Sequence, residues 1–104
     1  MKTVIVLAMH GAPPRDFPGQ ELAEFFRLHS LVEQKGTDTP ESNQGRYALL
    51  EAKMRNWPRN EHNDPFYTAS QELAARLGKV SGYEVIVGYN EFCAPSIDEA
   101  LQSG

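Results

Sequence analysis

A single cysteine stands among 104 residues, so Cys93 excludes an internal disulfide framework and any multi-cysteine zinc site, and fits a reducing cytosol. Positive charge is also scarce. Ten Lys and Arg against 14 Asp and Glu give a net charge of -4, and no local basic patch offsets it, so no nucleic-acid partner is expected. Long apolar runs are missing as well: Thr3 to Met9 is ended by His10 and Gly11, at the bare minimum for a signal segment and far short of a membrane span. These absences predict a cytoplasmic protein with no membrane partner. No internal repeat or low-complexity run appears. The 40% hydrophobic and 23% charged composition is that of a soluble globular chain. A chain this short forms one domain and buries roughly 60 to 65% of its unfolded surface.

Val4, Ile5, Val6 and Leu7 are continuous rather than alternating, which predicts a parallel strand covered on both faces. Gly11 to Gly19 carries Pro13, Pro14 and Pro18 and reads as a loop at the strand's carboxyl end. From Gln20 to about Glu33, Leu22, Phe25, Phe26, His29 and Val32 recur at helical spacing, and that face is expected to cover the strand. Positions 34–65 are a polar insertion. Gly36 to Pro40 reads as a turn, and Tyr47, Leu50, Met54 and Trp57 mark a second helical stripe that Pro58 ends. Arg59 to Asp64 is six polar side chains without periodicity, read as a mobile loop. Phe66, Ala69, Leu73 and Leu77 predict a third helix that stops at Gly78. Glu84 to Asn90 reads as a second strand, and Ser96-Ile97-Asp98-Glu99 is a capping box opening a last helix.

Strand, helices, strand and helix begin an open α/β sheet, and such sheets do their chemistry at the carboxyl ends of the strands. His10 ends the first strand and Glu91 follows the second. If the strands are neighbours, the two side chains converge at one edge, where imidazole nitrogen and carboxylate oxygen suit cobalt, iron, nickel or zinc. Either group also accepts a proton near neutral pH. The plainer readings are a structural His-Gly turn and a solvated Glu91.

The run Val4-Ile5-Val6-Leu7-Ala8-Met9-His10-Gly11, with Val85-Ile86-Val87-Gly88-Tyr89-Asn90-Glu91-Phe92-Cys93-Ala94-Pro95-Ser96-Ile97-Asp98-Glu99-Ala100-Leu101, closely resembles the CbiX-type sirohydrochlorin cobaltochelatases among the class II chelatases. The second run is the more specific, and together the two cover about a quarter of the chain. The resemblance implies a chelatase-like α/β fold of flavodoxin-like topology, incomplete in this chain. It implies insertion of a divalent metal substrate, cobalt first and iron or nickel next, into a tetrapyrrole of cobalamin or siroheme biosynthesis without ATP or an organic cofactor. His10 matches the family's strand-one histidine, which binds the metal and helps remove pyrrole protons, and Glu91 matches the acidic residue at the end of the family's second strand. Two features depart from the pattern. The family's further histidine after a third strand has no counterpart, and the insertion at 34–65 is longer than in compact members. The chain is therefore expected to be an amino-terminal part whose sheet is completed by a second copy or by a carboxyl-terminal half.

Arg15, in the loop after the first strand, is a candidate partner for a substrate carboxylate or an ordinary surface arginine. His29, on an apolar face, reads as a packed histidine, and His62 as a solvated loop residue. Cys93 reads as a small buried hydrophobe, and the Tyr47 to Trp57 stripe as core or interface. Two other functions fit in part. A non-catalytic metal- or tetrapyrrole-binding module would need a partner chain. A histidine phosphotransfer enzyme would carry an arginine before the histidine, where this chain has Met9.

Overall fold

The structure, a computed structural model, describes residues 3–35 and 40–103. Its elements run β1 (Val4–Met9), α1 (Gly19–Lys35), α2 (Glu41–Arg55), α3 (Pro65–Ser81), β2 (Glu84–Tyr89) and α4 (Ile97–Ser103). The turn expected at Gly36 to Thr39 lies outside the described residues. Among those residues the sheet has two strands, parallel and in register from Val4 opposite Glu84 to Met9 opposite Tyr89. This is a mixed α/β chain. No described helix is long and apolar enough to cross a membrane.

Alternation along β2 gives each face of the sheet its own helix. Val85, Val87 and Tyr89 point one way and pack with Leu7, Met9, Tyr67 and Ala74, so α3 covers this face. The Tyr89 hydroxyl, buried there, is satisfied by Ser70 Oγ at 2.6 Å and Gln71 Nε2 at 3.0 Å. Gly88 points the other way, where α4 lies so close that an added Cβ would stand 2.8 Å from the Ile97 Cα. Only glycine admits that approach. The capping box forms as expected: Glu99 N donates to Ser96 Oγ at 3.1 Å, and Ser96 N donates to Glu99 Oε1 at 3.0 Å. The Ser96 backbone N–H, and then its hydroxyl, hold the Glu99 carboxyl below its ordinary pKa.

The first helix departs from expectation, because α1 packs on α2 and not on β1. Phe25 and Leu28 of α1 meet Leu50 and Met54 of α2, with Phe17 beneath them, in a core separate from that of the sheet. Phe25 stacks on Tyr47 with ring centres 5.2 Å apart. At the rim, Arg46 grips Glu24 bidentately at 2.9 and 3.0 Å, which lowers the Glu24 pKa. Two complementary apolar stripes joined by a short connection bury each other first, and the strand is left to α3 and α4. Trp57 falls beyond the end of α2, yet its ring still meets Phe17 edge-on at 5.1 Å.

Arg59 to Asp64 is a loop, as read, but Arg59, Asn63 and Asp64 are tied into the fold while Asn60, Glu61 and His62 are exposed. The Arg59 side chain is only 3% exposed, and it spends its five N–H groups on Trp57 O, Ala12 O, Met54 O, Phe92 O and Asp64 Oδ2. Asp64 then caps α3 by accepting from Tyr67 N at 3.0 Å, with Pro65 in the first turn. Asn63 donates to Pro58 O and Asp16 Oδ1 and accepts from Asn60 N. The lack of apolar period reflects burial by polar pairing, a pattern that periodicity does not register. Helix α3 also runs past Gly78 to Ser81, and Gly82 at φ 77° is the left-handed cap. Gly78 is small for another reason: an added Cβ would lie 3.3 Å from Tyr83 O and 3.6 Å from Val85, where the chain turns back into β2.

Candidate functional site

Both strands end at one edge of the sheet, and the chain continues from them in close contact. Asn90 N donates to Met9 O at 2.7 Å, and Glu91 N donates to His10 O at 2.9 Å. His10 and Glu91 are therefore backbone neighbours at the carboxyl ends of adjacent parallel strands. Gly11 makes the approach possible: its φ is 91°, and a Cβ there would sit 2.0 Å from Glu91 O. The glycine of the His-Gly pair thus has a structural cause, independent of what the histidine does.

The side chains diverge more than the backbones do. The ladder ends at Met9 opposite Tyr89, and His10 and Asn90 are the first residues beyond it. His10 and Asn90 line one shallow depression with Ala8, Met9 and Ile97. Glu91 lines another, of about 210 Å³, with His29, Tyr47, Glu51, Arg55 and Phe92 among its neighbours. Asn90 borders both. His10, Asn90 and Glu91 are all exposed. Among the described residues, no three His, Cys, Asp or Glu side chains gather closely enough to hold a metal ion.

Arg15 is placed elsewhere. It lines a depression with Asp16, Asn60, His62 and Asn63, and its backbone N donates to Asn63 O at 2.7 Å. His62, 88% exposed along its side chain, stands in that same depression.

The loop after β2 is held by residues that carried no signal of function in the sequence. Arg55 donates to Cys93 O at 2.8 Å and to Asn90 O at 3.1 Å, while Ala94 N donates to Arg55 O at 2.9 Å. Arg59 donates to Phe92 O, where the backbone takes φ 68°, a conformation a phenylalanine adopts only under constraint. The polar insertion is thus the clamp that shapes the segment bearing Asn90 and Glu91. Cys93 is buried behind it, and that burial pushes its thiol pKa up.

A chain of polar contacts borders the Glu91 depression. His29 Nε2 pairs with Glu33 at 3.1 Å, His29 Nδ1 meets the Tyr47 hydroxyl at 2.9 Å, and that hydroxyl donates to Glu51 at 3.3 Å. Burial, and then the Glu51 charge, push the Tyr47 pKa up to about 12. His29 is packed against Phe25, as its helical position implies, but its Nδ1 is also hydrogen-bonded to Tyr47 and its Nε2 faces the Glu33 carboxylate. The four-residue spacing to Glu33 was readable in sequence. The contact with Tyr47 depends on the packing of α1 against α2.

No protein-family model, curated protein or solved structure matches this chain.

Proposed function

We propose that this chain is a tetrapyrrole metal chelatase of the CbiX kind. It would bring a divalent ion, cobalt first, to a sirohydrochlorin-like substrate without ATP. The observation that carries the reading is the meeting of the two resembling runs at one sheet edge, with Glu91 N on His10 O at 2.9 Å. Metallation exchanges two pyrrole N–H protons for a dication, so it needs a lone pair for the ion and acceptors for the protons. Imidazole at position 10 and carboxylate at 91 supply both kinds of group. Arg15, which lines the depression with Asn60 and Asn63, would be the partner of a substrate carboxylate. Among the described residues the outer edge of β2 carries a single bridge, Tyr89 to Ser96, and the rest of the two-stranded sheet's outer edges is unpaired, which supports completion of the sheet by a second copy.

The test is a spectroscopic titration of the chain with cobalt and sirohydrochlorin. Insertion changes the tetrapyrrole absorption, and His10→Ala is expected to abolish it. Cobalt binding without insertion would favour a metal-binding module that needs a partner. Equal cobalt binding by wild type and His10→Ala would sink the metal-site reading, and sedimentation as a stable monomer would remove the second-copy form of the proposal.

A further inference from the structure

The sheet edge gives His10 a neighbour that the sequence pattern did not single out. Ala8 and Gly88 are opposite each other at the α4 face, and His10 and Asn90, which follow the two strands, line one depression with Ala8. Both border the depression floored by Ala8 and Ile97. The floor is low because Ala8 carries only a methyl group and α4 lies close, where a Cβ on Gly88 would stand 2.8 Å from the Ile97 Cα. Glu91, one residue further, borders the separate depression on the α1 and α2 side.

Asn90 is also free to act. Its backbone is fixed at both ends, through Asn90 N to Met9 O at 2.7 Å and Arg55 Nη2 to Asn90 O at 3.1 Å. Its carboxamide is exposed and makes no hydrogen bond to another described residue. A fixed backbone under an uncommitted polar side chain is a pre-positioned group whose hydrogen-bonding capacity has no internal use.

We propose that Asn90 is the partner of His10 in receiving the divalent ion, its carboxamide oxygen and the imidazole nitrogen presenting two adjacent ligands on the α4 face. Glu91 stands outside this pair. The inference rests on the metal-handling reading above and adds a ligand to it. One nitrogen and one neutral oxygen hold a borderline divalent cation weakly and leave most of its coordination positions open, which suits an ion that must be handed on. Delivery and proton removal then fall to groups in different depressions, and a lone pair engaged on the metal is not asked to take a proton as well.

The experiment is a calorimetric titration of the 104-residue chain with cobalt, for wild type, His10→Ala, Asn90→Ala, Asn90→Asp and Glu91→Gln, with thermal melts to show that each variant is folded. His10→Ala and Asn90→Ala are each expected to weaken binding about tenfold, and Asn90→Asp, which puts a charged oxygen in the same place, to restore or tighten it. Asn90→Ala should cost more than Glu91→Gln. If His10→Ala weakens binding while Asn90→Ala does not, or if Glu91→Gln costs more than Asn90→Ala, the assignment of Asn90 is overturned and the metal-handling reading stands. If His10→Ala changes nothing, or wild type binds no cobalt, both are overturned.

Discussion

Two polar regions of this molecule are built in opposite ways. Around Arg59 and Asp64, polar groups are buried and spent entirely on one another and on backbone carbonyls, and no described buried side-chain N or O lacks a partner. At the sheet edge, His10, Asn90 and Glu91 are exposed above a fixed backbone. In sequence the two look alike, as short polar stretches beside a turn. The difference is in what each side chain is given to bind: the first region uses its polarity to hold the fold, and the second leaves it available. Removing a partner in the first should cost stability, whereas changes in the second should cost binding and little else.

The largest expected effect is at Arg59. Replacing it with leucine strands the Asp64 carboxylate, 1% exposed along its side chain, and frees four carbonyls, and breaking a buried pair from one side typically costs about 3 to 5 kcal/mol. Urea denaturation gives the number, and a loss under about 1 kcal/mol would erase the contrast between the two regions. Arg59→Lys is also expected to destabilise, since one ammonium with three donors cannot reach five acceptors placed around a planar fork.

Gly11→Ala comes next. It forces a Cβ into a backbone at φ 91° and to within 2.0 Å of Glu91 O, so the two strand ends must separate. Such strain costs about 1 to 3 kcal/mol and should displace Asn90 and Glu91 as well. The sharp outcome is a drop in stability together with weaker cobalt binding. A fall in stability alone would show that the edge geometry tolerates separation.

A smaller effect is set by pH. The Tyr47 pKa stands at about 12 in the folded chain against 10.0 ordinarily, so the folded state holds the phenolic proton more tightly than the unfolded one. Its contribution is fully present below about pH 10 and is lost as pH rises through about 12. Urea midpoints measured across that window should fall for wild type, and Tyr47→Phe should reduce the slope. Identical slopes would disconnect Tyr47 from alkaline unfolding.

The smallest effect is at the rim of the hairpin. Lys53 bonds both oxygens of Glu21 at 2.7 and 2.9 Å, but in a solvated setting, and Lys53→Met should change stability by less than about 1 kcal/mol. His10→Ala belongs with it for stability, although not for cobalt. A large destabilisation by either would mean that exposure is a poor guide to which region bears the fold.

Much of the architecture was legible because it is local. The continuous Val4 to Leu7 run, the capping box at Ser96 and the helical stripes of α1 and α3 declare themselves within a few residues. Features that depend on distant partners did not. Helix α1 was expected on the sheet because its stripe says only that it must be covered, and α2 covers it. Gly78 looks like a helix stop until its closeness to Tyr83 and Val85 is seen. At the site, the adjacency of His10 and Glu91 followed from placing each at a strand end, but their separation into two depressions, and the place of Asn90 at the border of both, depend on how the helices pack around that edge. Arg59 carried no signal at all, since its partners are carbonyls, which every residue possesses.

That last point bears on how such a chain can change over generations. Ala12, Met54, Trp57 and Phe92 meet Arg59 through main-chain oxygens, so substitutions at these positions leave that recognition intact, provided the new side chains pack. Arg59 and Asp64 have no such freedom, because each is read through its own side chain. Among diverging descendants of this sequence, the two should persist or disappear together while the residues around them drift. A lineage that lost both would have to re-knit the joint between the hairpin and the loop bearing Asn90 by some other means.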